Sequence, residues 1–147
     1  MSEFLMRAIY LLDTNIISEL VRPEPNKNVV RKIFENQKVS SLSSVTWAEA
    51  LFSVKRMPQG KRKDLFFDFY INTVQNMYEF FDFDIHAASV YSDIKTRLEH
   101  IGKIPQELDL QIASVAIANN LILVTRNVSD FTDIAENSAL MMENWFE

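Results

Sequence analysis

Short apolar runs alternate along the chain with longer segments whose apolar residues recur at helical spacing. The runs Ile9–Leu12, Val39–Leu42, Phe80–Phe83 and Leu121–Thr125 are rich in branched or aromatic residues and bounded by polar or turn-forming positions, and they predict buried strands. Ala139–Met142 predicts a further edge strand. Between them, Ile16, Ile17 and Leu20 mark a helix that Pro23 stops, and Val29–Asn36, Val45–Arg56, Lys63–Met77, Ile85–Ile101 and Leu108–Asn119 predict further helices. Gly102 and Asn120 fall where a left-handed residue would close the last two of these. Strand–helix alternation predicts an α/β fold: a Rossmann-like three-layer domain, with a mostly parallel sheet of four to five strands and helices on both faces. With no internal repeat or low-complexity tract, the reading is one domain over 1–147, residues 1–7 forming an N-terminal extension.

Ligands of such sheets bind beyond the carboxyl ends of the strands, so a candidate residue should follow a strand or open the next helix. Asp13 ends the run Tyr10-Leu11-Leu12 and opens Asp13-Thr14-Asn15; it is placed either to cap the following helix or to face a ligand. Glu49 lies early in the helix after the second strand, where Thr46-x-x-Glu49 also matches a capping box. Asp109 opens a helix that is apolar nearly all round, and a carboxylate at the edge of a buried helix needs compensation from the helix N-terminus or from a cation. Thr125-Arg126-Asn127-Val128-Ser129-Asp130 follows the strand at Leu121 and puts more polar groups past a strand end, where an ordinary turn would also favour Asn and Asp.

Gathered on one sheet edge, these carboxylates would repel one another unless cations lie between them. An all-oxygen donor set favours Mg²⁺ or Mn²⁺, and the chemistry such ions support at clustered carboxylates is phosphodiester hydrolysis. Composition sharpens this picture by exclusion. The chain has no cysteine, which removes disulfides, thiolate nucleophiles and cysteine-held metals and fits a cytoplasmic location. No apolar run is long enough to span a membrane, and the N-terminal residues do not read as a signal peptide. Two glycines in the chain leave no glycine-rich phosphate loop, and His86 and His100 are too far apart to form a compact metal motif. A net charge of −5 argues against a general nucleic-acid binder, but it is also what gathered metal-binding carboxylates produce. Local basic stretches remain: Lys55-Arg56, Lys61-Arg62-Lys63, Arg97, Lys103 and Arg126 are candidates for phosphate contacts.

The ordered set Tyr10-Leu11-Leu12-Asp13-Thr14-Asn15-Ile16-Ile17-Ser18-Glu19-Leu20, Ser43-Ser44-Val45-Thr46-Trp47-Ala48-Glu49, Asp109-Leu110-Gln111-Ile112-Ala113 and Leu123-Val124-Thr125-Arg126-Asn127 with Asp130-Phe131 resembles the PIN-domain family, specifically VapC-type toxins. The resemblance covers nearly the whole chain. It implies a metal-dependent endoribonuclease, the toxin of a toxin–antitoxin pair, in which Asp13, Glu49 and Asp109 ligate Mg²⁺ or Mn²⁺. Many relatives carry a fourth acidic residue where this chain has Asn127; that role is open between Asn127 and Asp130. Thr125 and Asn15 would orient the carboxylates. RNA as substrate, a small antitoxin as partner and a homodimer are also implied, with the faces around Phe66, Phe69 and Tyr70, or Leu51 and Phe52, as contact surfaces or plain core.

Two other readings compete. A PIN-fold regulatory module, acting with a DNA-binding partner and weak as a nuclease, would share every motif. A phosphatase of the haloacid dehalogenase type also places an Asp after its first strand, but needs a second Asp two residues on, where this chain has Asn15.

Overall fold

A computed structural model describes residues 7–147. All but the last residue of the expected N-terminal extension lies outside the described residues. Five strands form one sheet in the order β3-β2-β1-β4-β5: β1 Tyr10–Leu12, β2 Ser40–Ser43, β3 Glu79–Phe81, β4 Ile122–Val124 and β5 Met141–Glu143. Every neighbouring pair is parallel, so the sheet is wholly rather than mostly parallel. β1 lies at the centre, with Leu11 opposite Ser41 on one side and Leu123 on the other.

Successive residues of a strand face opposite sides, and here they feed two separate cores. Leu11 and Leu123 enter one, with Ala87, Ile94 and Leu98 of α6 (Ile85–His100), Leu110 and Ala113 of α7 (Glu107–Ala118), and Ile134 of α8 (Thr132–Glu136). Leu12, Leu42 and Val124 enter the other, with Ile16 and Ile17 of α1 (Thr14–Ile17), Val29 and Ile33 of α2 (Lys27–Glu35), Ala50 and Val54 of α3 (Ser44–Lys55), and Tyr70, Val74 and Trp145. This is the three-layer arrangement that the alternation predicts.

Most predicted elements shift by one or two residues; three differ in kind. The second strand is Ser-Ser-Leu-Ser, while Val39 belongs to a preceding 3₁₀ turn. All four strand residues are buried, and their hydroxyls are satisfied locally: Ser40 Oγ donates to Asn36 O at 2.8 Å and Ser41 Oγ to Tyr10 O at 2.7 Å. The predicted helix Lys63–Met77 is instead α4 (Lys61–Asp68), a π turn over Phe69–Val74 and α5 (Gln75–Met77). The wider turn keeps both Tyr70 and Val74 inside. After β4 the chain makes a 3₁₀ turn, Val128–Phe131, and α8, which apolar spacing over so short a stretch does not announce. Gly102 (φ 73°) and Asn120 (φ 56°) do close α6 and α7 in left-handed conformation. At Gly102 the amides of residues 102 and 103 return to Glu99 O and Leu98 O, which satisfies the helix end.

Candidate metal centre

The carboxyl ends of β1, β2 and β4 lie side by side, and the chain places an acidic residue beyond each or on the helix that follows. Asp13 comes directly after β1 in extended conformation, and both readings of it hold at once. Its Oδ1 accepts the Thr14 amide at 2.8 Å as the N-cap of α1, while Oδ2 accepts the Thr125 hydroxyl at 2.9 Å. Asn15 stitches this arrangement from above. Its Nδ2 lies 3.4 Å from both Asp13 Oδ2 and Thr125 Oγ1, and its Oδ1 accepts the Arg126 amide at 3.0 Å. Asp13 is buried, and burial pushes its pKa up; hydrogen bonds from Thr14, Thr125 and Asn15 oppose the rise, and the charge of Asp130 adds to it.

The capping-box reading of Glu49 does not hold. The N-cap of α3 is Ser43, whose Oγ accepts the Thr46 amide at 2.9 Å. Glu49 therefore sits in the second turn, not the first, with no backbone amide to reach. It is half-buried, and its pKa is raised by burial and by the charges of Asp13 and Asp109. Asp109 lies in the first turn of α7, which Gln106 caps by accepting the Asp109 amide at 3.0 Å. A helix N-terminus favours a carboxylate, yet the Asp109 pKa is pushed up to about 6 by burial, Asp13 and Asp130.

The turn after β4 distinguishes Asn127 from Asp130. The Asn127 amide donates to Thr125 Oγ1 at 3.1 Å and its carbonyl accepts the Asp130 amide at 3.0 Å, so Asn127 shapes the turn through its backbone. Asp130 is exposed, yet its charge reaches both Asp13 and Asp109.

No Lys or Arg forms an ion pair with Asp13, Glu49, Asp109 or Asp130 among the described residues. Nor, among them, do three acidic or histidine side chains close into a ready-made ligand set. Carboxylates that repel their neighbours, with oxygen donors only and no basic partner among the described residues, fit a hard divalent cation. Two buried hydroxyls flank the group without hydrogen-bond partners, Thr14 Oγ1 and Thr46 Oγ1.

The basic candidates separate. Lys55, Arg56, Lys61, Arg62 and Lys63 gather at the turn between α3 and α4, with Arg56 over the Phe52 ring and Arg62 over that of Phe66, each at 5.4 Å. A cleft of ≈ 750 Å³ runs from Lys61 and Arg62 past Phe66 and Tyr70 to Thr14, beside Asp13. Arg97 and Lys103 are engaged elsewhere: Arg97 donates to Asn137 O at 3.0 Å, and Lys103 lies 3.8 Å from Asp133. Of the expected contact surfaces, Tyr70 is core, Leu51, Phe66 and Phe69 pack partly against it, and Phe52 is 63% exposed. His86 and His100 are exposed on α6. Two features lie outside the sequence expectations: Gln106 as the cap of α7, which a polar residue before Glu-Leu-Asp does signal, and the 4.4 Å stacking of Arg126 on Phe146, which nothing local signals.

Residues 10–137 match the model of the PIN domain. The chain belongs to the PIN-domain family. It is 32% identical over 139 residues to Ribonuclease VapC2 of Rickettsia felis, covering 93% of this chain and 98% of that protein. Among solved structures it is similar to FitAcB from Neisseria gonorrhoeae, with a TM-score of 0.84, 27% identity and coverage of 95% and 99%. It is also similar to VapBC2 from Rickettsia felis bound to a DNA fragment from their promoter, with a TM-score of 0.76, 29% identity and coverage of 93% and 98%.

Proposed function

We propose that this PIN-domain chain is a metal-dependent endoribonuclease of the VapC type, the toxin of a toxin–antitoxin pair. One observation carries the reading: the charges of Asp13 and Asp109 act on Glu49 and those of Asp13 and Asp130 on Asp109, and none of the four forms an ion pair among the described residues. The first three are proposed to hold Mg²⁺ or Mn²⁺, with Asp130 completing the set and Asn127 shaping the turn that carries it. The chemistry a bound divalent ion supplies is Lewis acidity toward water and the scissile phosphate. Thr125 and Asn15 fix the Asp13 carboxylate by bonding the oxygen that Thr14 does not. Glu49 and Asp109, whose side-chain oxygens accept no hydrogen bond among the described residues, orient the attacking water and take its proton. No side chain forms a covalent bond to the substrate.

The relatives supply the setting. One is named a ribonuclease, one structural neighbour is described as a toxin-antitoxin complex, and another is bound to a DNA fragment from its promoter. A small antitoxin is the proposed partner here, a homodimer the proposed assembly, RNA the substrate and the cytoplasm the location. No helix among the described residues is long and apolar enough to cross a membrane. The neighbour on DNA also supports a second reading, a regulatory module whose work is done with its partner.

The test is cleavage of a mixed RNA pool by the antitoxin-free chain with Mg²⁺, with Mn²⁺ and with EDTA, beside Asp13→Asn. Metal-dependent cutting that the variant loses supports the nuclease. Absence of cutting by the folded chain with either metal would favour the regulatory module.

A further inference from the structure

Arg126 occupies an unusual position for a cation. It directly follows Thr125, whose hydroxyl bonds Asp13, and its own amide donates to Asn15 Oδ1 at 3.0 Å. Its backbone is therefore part of the network that holds the acidic centre. A guanidinium tethered so close to four carboxylates would gain by folding in among them. Instead it is exposed, makes no ion pair among the described residues, and lies 4.4 Å from the centroid of the Phe146 ring.

Phe146 is itself held firmly. Its amide donates to Asn144 Oδ1 at 2.9 Å, closing a tight turn, and Asn144 Nδ2 reaches Arg126 O at 3.5 Å. The preceding Trp145 is buried at 1% exposure and meets Tyr10 of the central strand edge-on at 5.2 Å. Asn28 of α2 donates to Trp145 O at 2.7 Å. The segment after β5 is thus bolted to the sheet and to α2, and it presents one aromatic face under one arginine. The other two arginine–phenylalanine pairs, at 5.4 Å, have no comparable bond into the acidic network.

We infer that Arg126 is a phosphate-binding residue for single-stranded RNA at the rim of the acidic centre, and that Phe146 is a positioning residue that keeps its guanidinium outside the carboxylates and open to the substrate. This rests on the ribonuclease reading. A planar fork of N–H donors suits a phosphate better than any other group at this rim, and an aromatic face steadies an arginine without consuming those donors. The contact also resolves a conflict, since an acidic centre attracts cations and repels the RNA backbone it has to engage.

The test uses the full-length, antitoxin-free chain, with cleavage kinetics in Mn²⁺ and anisotropy of a labelled single-stranded RNA in EDTA, both across a salt series. Arg126→Ala is expected to raise KM about tenfold with kcat nearly unchanged, and to lower the slope of log affinity against log salt by about 0.7, the value of one phosphate contact on a single strand. Phe146→Ala is expected to raise KM about threefold, and Phe146→Leu, which keeps the apolar packing, should behave likewise; Phe146→Tyr should be neutral. The double variant Arg126→Ala/Phe146→Ala should be no worse than Arg126→Ala alone, because the ring acts through the arginine. An Arg126→Ala chain with unaltered KM and salt slope overturns the assignment of Arg126. Losses that simply multiply in the double variant overturn the positioning role of Phe146. A wild-type chain that neither binds nor cuts RNA overturns the ribonuclease reading and this inference with it.

Discussion

Replacing Asp109 with Asn should make the metal-free protein more stable while removing its activity. Asp109 opens α7 half-buried, with Asp13 and Asp130 acting on it, and its pKa moves from 3.8 to about 6. At about 1.36 kcal/mol per pH unit this corresponds to about 3 kcal/mol. The group is partly open to water, so screening reduces the effect to about 1–2 kcal/mol. The sign follows from linkage: the folded chain holds this proton more tightly than the unfolded one, so stability falls as pH rises from about 4 to about 6 and stays lowered above. Asp109→Asn keeps the shape and removes the charge, so it should abolish that part of the slope.

Urea unfolding in EDTA at pH 4, 6 and 7.5 measures this directly. The variant should match the wild type at pH 4 and exceed it by about 1–2 kcal/mol at pH 7.5, a rise of roughly 3–6 °C in Tm for a chain of this size. Mn²⁺ at a hundredfold its Kd should then stabilise the wild type by about 2.7 kcal/mol and the variant far less. A variant equal to or less stable than the wild type at pH 7.5, or a difference that does not vary with pH, would refute the picture of carboxylates held in mutual repulsion.

Thr125→Val removes the fully buried hydroxyl that bonds Asp13 Oδ2; metal affinity, followed by Mn²⁺ titration, should fall about 10- to 100-fold. Ser43→Ala should cost about 1 kcal/mol in urea unfolding by uncapping α3, whereas Glu49→Ala, which relieves repulsion with Asp13 and Asp109, should leave stability in EDTA at or above that of the wild type and remove all of the cleavage; a stability loss in the second would revive the capping box. Trp145→Ala empties a site of 1% exposure against Tyr10 and should lower stability by about 3–5 kcal/mol, read as a drop in Tm.

The strand ends were legible because burial and chemistry change at one residue: Leu12 is wholly buried, and the next side chain is a carboxylate. The same logic located Asp109, whose helix is otherwise apolar. Glu49 was harder. Its strand is mostly serine, so its limits depend on where hydroxyls find carbonyls in the folded chain, and a helix starting at Ser44 moves Glu49 from the first turn to the second. Asn127 and Asp130 sit on a 3₁₀ turn that composition does not encode. The π turn at Phe69–Val74 depends on Tyr70 and Val74 both finding the core. Arg126 and Phe146 meet only because β5 returns beside β4. Local rules see neither of the last two, since each is set by contacts distant in sequence.

The pairing of β1 with β4 has a consequence for how such a protein can change. Beyond the rung Leu12–Val124, the Asp13 amide donates to Val124 O at 2.9 Å, and the Thr125 hydroxyl then bonds the Asp13 carboxylate. The central acid is thus fixed by the last rung of a ladder and inherits the rigidity of the sheet. The loop between α3 and α4 carries no such duty. Insertions or charge changes there can redraw the surface that meets a target while the reactive geometry stays fixed. A scaffold of this kind separates what is cut from how it is cut, and lets the first drift at little risk to the second.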